Sequence, residues 1–110
     1  MEREQAINYM RDLLKVIVEK KGSDLFVTVD FPPAIKIDGK IVPVSKTKLT
    51  SNNTKALAYA IMNDKQVKEF EATKESNFAI SPGGIGRFRC NAFVRMGYTG
   101  KKPKSRAWIN

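Results

Sequence analysis

Along the first twenty positions, apolar residues recur at Ile7, Met10, Leu13, Leu14, Ile17 and Val18, the spacing of a helix with one apolar stripe. Glu2, Arg3, Arg11, Asp12, Lys15 and Glu19 fall largely on the other side. Lys20-Lys21-Gly22 closes this helix, with cations against its negative end and a glycine free to turn left-handed. The pattern then changes period. Leu25-Phe26-Val27-Thr28-Val29 is rich in strand formers, and Phe31-Pro32-Pro33 interrupts the pairing because proline donates no backbone hydrogen bond. Ala34–Ile37 and Lys40–Val44 flank Asp38-Gly39, a dipeptide that supplies the positive dihedrals of a tight hairpin turn.

Further on, Leu49–Asn53 is a loop offering several helix caps, followed by a short helix carrying Leu57, Ala60 and Ile61. Asn63-Asp64 breaks it and caps another helix, with Val67 and Phe70 facing inward. Phe78 and Ile80 alternate with Asn77, Ala79 and Ser81 in a fourth strand, and Pro82–Gly86 turns the chain into a fifth. There Phe88, Cys90, Ala92, Val94 and Met96 alternate with Arg87, Arg89, Asn91, Phe93 and Arg95. The predicted order is helix, three strands, two helices, two strands. It implies an α+β fold, an antiparallel sheet with helices packed on one face.

Composition bounds what such a domain can do. With 110 residues the chain suits one compact domain, and 42% apolar with 28% charged residues fits a globular protein. The net charge of +9 fits a nucleic-acid or anionic-membrane partner, a solubility feature, or a fragment's incomplete balance. Part of the excess is local, in Lys101-Lys102-Pro103-Lys104-Ser105-Arg106. The single cysteine, Cys90, has no internal disulfide partner and sits in the apolar register as a small buried hydrophobe. No histidine is present, which removes the commonest general base and leaves a zinc site only Cys90 and carboxylates. No run approaches a membrane span and the polar start is unlike a signal peptide, so the expectation is a cytosolic, soluble chain.

Two glycine patterns and four aspartates are candidates for chemistry. Gly97-Tyr98-Thr99-Gly100-Lys101-Lys102 falls short of a phosphate-binding loop: two residues separate the glycines instead of four, and lysine stands where Ser or Thr would ligate the metal. Gly83-Gly84-Ile85-Gly86 satisfies the glycine clamp of KH-type RNA binders, but lies between strand-like runs and reads more simply as a hairpin loop. Asp24, Asp30, Asp38 and Asp64 are spread over caps and turns rather than paired for acid–base work. The arginine face has two readings from the residues alone. It is either a solvated face paired with nearby glutamates, or an anion clamp in which forked guanidinium groups reach a phosphate held by a neighbouring domain or subunit.

Six motifs occur in order: Gly22-Ser23-Asp24-Leu25-Phe26, Pro32-Pro33, Lys36–Lys40, Ile61–Gln66, Asn77–Ser81 and Gly86–Phe93. Together they resemble the N-terminal domain of the PilT/PilU retraction ATPases of type IV pili, over about residues 5–100. Phe26 and the Ile85–Arg89 run look most like the PilU branch. The resemblance implies a PAS-like domain over 1–100, an oligomerisation and nucleotide-sensing part of a hexameric twitching-motility motor. In the family it precedes a RecA-like ATPase domain and packs on that of the neighbouring subunit.

By this resemblance the chain alone is not an enzyme, because it lacks the phosphate-binding loop and acidic motifs. ATP and Mg would belong to the full-length protein, with no cofactor in this chain. Arg87 and Arg89 would contact the γ-phosphate in trans; Arg95 does not inherit that role, because the family usually has glutamine there. Implied partners are the RecA-like domain of the same or neighbouring subunit, the homo-hexamer, and the pilus inner-membrane platform, with no specific nucleic acid and a location at the inner face of the cytoplasmic membrane. Residues 101–110 depart from the family pattern as a basic tail, which puts the last strand of the sheet in doubt. Rival readings are a small basic nucleic-acid-binding domain and a stand-alone ligand-sensing PAS-like module.

Overall fold

The computed structural model describes residues 1–95 and 104–110. Helix α1 (Arg3–Glu19) buries Ala6, Met10, Leu13, Leu14 and Ile17; of the stripe its spacing predicts, Ile7 is half-buried and Val18, at the helix end, is exposed. At its end the left-handed residue is Lys21 (φ 55°), not Gly22. Gly22 has a different task. Its N–H reaches the Ile17 carbonyl at 2.8 Å, and a Cβ there would lie 3.2 Å from the Lys36 carbonyl oxygen, so the missing side chain lets β2 approach.

Strands β1 (Asp24–Val27), β2 (Ala34–Ile37) and β3 (Lys40–Pro43) follow, the last two joined through Asp38 (φ 50°) and Gly39 (φ 78°). Both turn residues hold the positive φ that the sequence demanded. Helix α2 (Ser51–Ala60) is capped by Thr50, whose Oγ1 accepts from the Asn53 N–H at 3.1 Å. Helix α3 (Asp64–Thr73) begins with a reciprocal box: Asn63 Oδ1 accepts from the Gln66 N–H at 2.8 Å, and Gln66 Oε1 from the Asn63 N–H at 2.9 Å. Strands β4 (Glu75–Ile80) and β5 (Phe88–Arg95) form the second hairpin.

The sheet differs from the expectation in one respect. Residues read as a basic tail form a sixth strand, β6 (Lys104–Ile109), in a sheet of order β3-β2-β1-β6-β5-β4, antiparallel throughout. Its inward residues are Ala107 and Ile109, 3% and 0% exposed, with Trp108 pointing the other way. A short strand carrying two inward apolar residues beside a lysine run looks like a solvated tail until its neighbours are known. Without β6 the sheet would be two separate pieces, β3-β2-β1 and β5-β4.

All the main packing is on one side. Residues of α1 and Leu57 of α2 meet Leu25, Val27, Ile35, Phe88, Cys90, Ala107 and Ile109 in one cluster, while Ala58, Met62 and Phe70 meet Ala92 in a second. The helices therefore cover one face, and the side chains of Asn77, Ala79, Arg89 and Trp108 on the other are exposed. Among the described residues no helix is long and apolar enough to cross a membrane.

Candidate functional site: an arginine cleft on the open sheet face

The period of two along β5 sends Phe88, Cys90 and Ala92 into the core and leaves Arg89 exposed on the opposite face. Arg87, just before the strand, is also exposed. Both line a cleft of about 480 Å³ whose walls include Asn77, Asn91, Trp108 and Asn110. The register explains how residues distant in sequence gather there. Asn77 lies opposite Asn91, Asn91 opposite Trp108, and Trp108 opposite Phe26, a row crossing four strands. One step along, Arg89 lies opposite Ala79 and exchanges backbone hydrogen bonds with Asn110, at 2.6 and 2.9 Å.

Side chains in the row are tied together. Asn91 Nδ2 donates to Asn77 Oδ1 at 2.5 Å. Trp108 stacks against Phe26 with ring centres 6.1 Å apart and planes 21° from parallel, and its Nε1–H donates to Asp24 Oδ1 at 2.9 Å. The Asp24 carboxyl is held below its usual range, first by the Ser23 hydroxyl, against the opposing cost of burial, and then by Trp108, Asn110 and Lys36. Arg87 and Arg89, by contrast, have no side-chain hydrogen bond or ion pair with any of the described residues. The reading in which these cations merely pair with nearby glutamates is therefore not what the described residues show. Two forked donors stand on a rigid strand and its approach with no partner among the described residues.

The other candidates sort by position. Cys90 is buried, and desolvation pushes its thiol up to about 12, so it stays protonated and inert near neutral pH. Gly83–Gly86 lies in the β4–β5 hairpin, with Gly84 at φ 75°, so it joins strands and not the helices of a KH clamp. Asp38 occupies the first hairpin turn, Asp30 a left-handed position and Asp64 the first turn of α3. Among the described residues no three Asp, Glu, Cys or His side chains gather as metal ligands. The Gly97–Lys102 pattern and Met96 lie outside the described residues. Sequence reasoning missed Trp108, Phe26 and Asn77 as neighbours of the arginines. Only the alternation Arg106-Ala107-Trp108-Ile109, read as a strand, carried a signal for them.

Known proteins are similar to this chain over most of its length. Type IV pilus ATPase PilU of Pseudomonas aeruginosa is 46% identical over 88 residues, which is 80% of this chain and 23% of that protein. PilT of the same organism, a type IV pilus retraction ATPase, is 39% identical over 82 residues, 74% of this chain and 24% of PilT. Over these residues the chain matches part of the PilT/PilU retraction ATPases. It spans about a quarter of the length of the curated relatives it matches. The crystal structure of the pilus retraction motor PilT with bound ADP superimposes with a TM-score of 0.75 at 31% identity, over 90% of this chain and 27% of that one. The ATPase DotB of Legionella pneumophila shares the fold at a TM-score of 0.80 and 13% identity, over 94% of this chain and 28% of its own. No family model matches.

Proposed function

We propose that this chain is the N-terminal nucleotide-sensing and oligomerisation domain of a hexameric type IV pilus retraction ATPase, noncatalytic by itself. In this reading Arg87 and Arg89 grip the γ-phosphate of ATP bound by a RecA-like domain of the same or neighbouring subunit. The observation that carries it is the pair of exposed guanidinium groups, without a partner among the described residues, on the open face of a domain related to PilT and PilU. A charge-assisted grip on a triphosphate favours the closed arrangement of two domains until hydrolysis removes the contact.

The fit to the nucleotide is on the phosphate side. Forked donors match phosphate oxygens, whereas the described residues offer no gathered carboxylates, so the ligands of Mg are assigned to the RecA-like domain. The motor would work at the inner face of the cytoplasmic membrane against the pilus inner-membrane platform, with no specific nucleic acid as partner. The deciding experiment is steady-state ATP turnover by hexamers of the motor carrying this domain, wild type against Arg89→Ala, matched for thermal stability. A drop of about tenfold or more, some 1.4 kcal/mol, supports the grip, and unchanged turnover removes it.

A further inference from the structure

We infer that the same cleft receives the base of a nucleoside polyphosphate as well as its phosphates: the base packs on Trp108 while Arg87 and Arg89 hold the phosphate chain. This rests on the reading of those arginines as phosphate ligands. It adds a second, independent recognition element that nothing in that reading requires.

Trp108 is the chain's only tryptophan, and it is 46% exposed on a central strand, where a large aromatic ring would ordinarily be covered. Its orientation is fixed twice, by the stack on Phe26 and by the hydrogen bond to Asp24. A ring held this way loses little freedom when a flat ligand lands on it, and preorganisation of this kind favours binding. Neither cleft arginine spends itself on the indole: among the described residues the one cation over a ring is Lys55 over Tyr59.

The rest of the cleft suits a base joined to phosphate. Asn91 lies directly opposite Trp108, and its amide together with that of Asn77 puts donors and acceptors beside the ring. Arg89 is two residues from Asn91 along β5, about 7 Å, and Arg87 is two residues further, so the distance from the ring to the cations suits a ribose followed by a phosphate chain. The volume of about 480 Å³ is that of a small-ligand site, not of a long groove. Charge agrees as well, since Arg89 lies one step along β5 from the row that carries Trp108 and Phe26, which sets cation and aromatic ring side by side. A polyanion with an aromatic terminus is the complementary ligand.

The test uses the 110-residue chain at about 0.15 M ionic strength, where loose cation–phosphate association is screened. ATP, adenosine, inorganic tripolyphosphate and a short oligothymidylate are titrated by calorimetry, with Trp108 emission followed in parallel. We expect ATP to bind about tenfold tighter than tripolyphosphate and to quench the indole saturably. Trp108→Leu should erase that preference and leave tripolyphosphate binding as it was, Trp108→Phe should keep most of it, and Arg89→Ala should weaken both ligands. Equal binding of ATP and tripolyphosphate by the wild-type chain overturns the base platform and leaves the arginine grip standing. That comparison needs no variant to fold. Tripolyphosphate binding indifferent to Arg89→Ala counts instead against the arginines. An oligothymidylate that binds tighter than ATP and displaces it makes the face a single-stranded nucleic-acid platform, and overturns the inference. Binding of none of the four probes overturns it too, and the hexamer assay then decides the arginine reading alone.

Discussion

Ile109 lies directly opposite Cys90 in the sheet, and both side chains are buried, at 0% and 3% exposure. On its other side Ile109 lies opposite Leu25, also fully buried, so one side chain of β6 joins the core residues of both halves of the sheet. Ile109→Ala should therefore cost about 2–5 kcal/mol, the range for an aliphatic side chain lost from a packed core. Trp108→Ala removes a half-exposed ring and should cost less. Urea denaturation of the two variants, compared at equal slope, checks the order.

Cys90 should react slowly with a thiol reagent in the native state and fast in denaturant, because its thiol is both buried and pushed up to about 12. The same shift has a sign in the stability curve. A thiol that ionises near 9.0 when unfolded and near 12 when folded favours folding fully below pH 9. That contribution is lost as pH rises between the two values, at a slope of about 1.4 kcal/mol per pH unit. Alkaline unfolding should be steeper in wild type than in Cys90→Ala by this amount. Cys90→Asp should destabilise strongly, since a buried charge there has no partner.

Asp24 titrates in the opposite sense. Its folded carboxyl is held below the ordinary value of 3.8 by the Ser23 hydroxyl first, and by Trp108 among others. The stability it contributes is present above pH 3.8 and lost as pH falls through the lowered folded value. Because Trp108 Nε1–H donates to this carboxylate, indole emission should change over the same acid range. Asp24→Asn should abolish that transition while leaving emission near neutral pH close to wild type.

Arg89→Ala should leave the fold within about 0.5 kcal/mol of wild type, as an exposed side chain with no partner among the described residues implies. Arg89→Lys should restore little of the motor's turnover, because an ammonium is a point charge and cannot reproduce the planar fork. Turnover recovered by lysine would show that charge alone suffices and that fork geometry is irrelevant.

What the sequence made legible were features decided locally. The α1 stripe, the Asp38-Gly39 turn, the Asn63 cap and the alternation of β5 each depend on residues a few positions apart, and, Val18 of the stripe aside, each lies where it was expected. Even the open arginine face follows from that alternation. The departures come from residues far apart in the chain. Gly22 is needed for the approach of Lys36, so its role could not be read from the helix end alone. Strand β6 has only Ala107 and Ile109 to bury, and becomes a strand because β1 and β5 both offer it a free edge. Trp108 and Phe26 join the arginines only through that insertion, whereas Asn77 is brought beside them by the β4–β5 pairing, which is why the aromatic side of the cleft stayed hidden while its cations were visible.

The central place of β6 also sets how the domain reaches its native state. The β2–β3 and β4–β5 hairpins close short loops and need little chain entropy to form. Strand β6 follows every other element in sequence, yet must be laid between β1 and β5, spanning most of the chain on one side. Non-local closure of this kind slows folding, so the rate-limiting event should be the docking of β6 between two preformed halves. Substitutions on β6 should then slow refolding, whereas those confined to the β2–β3 turn should mainly speed unfolding.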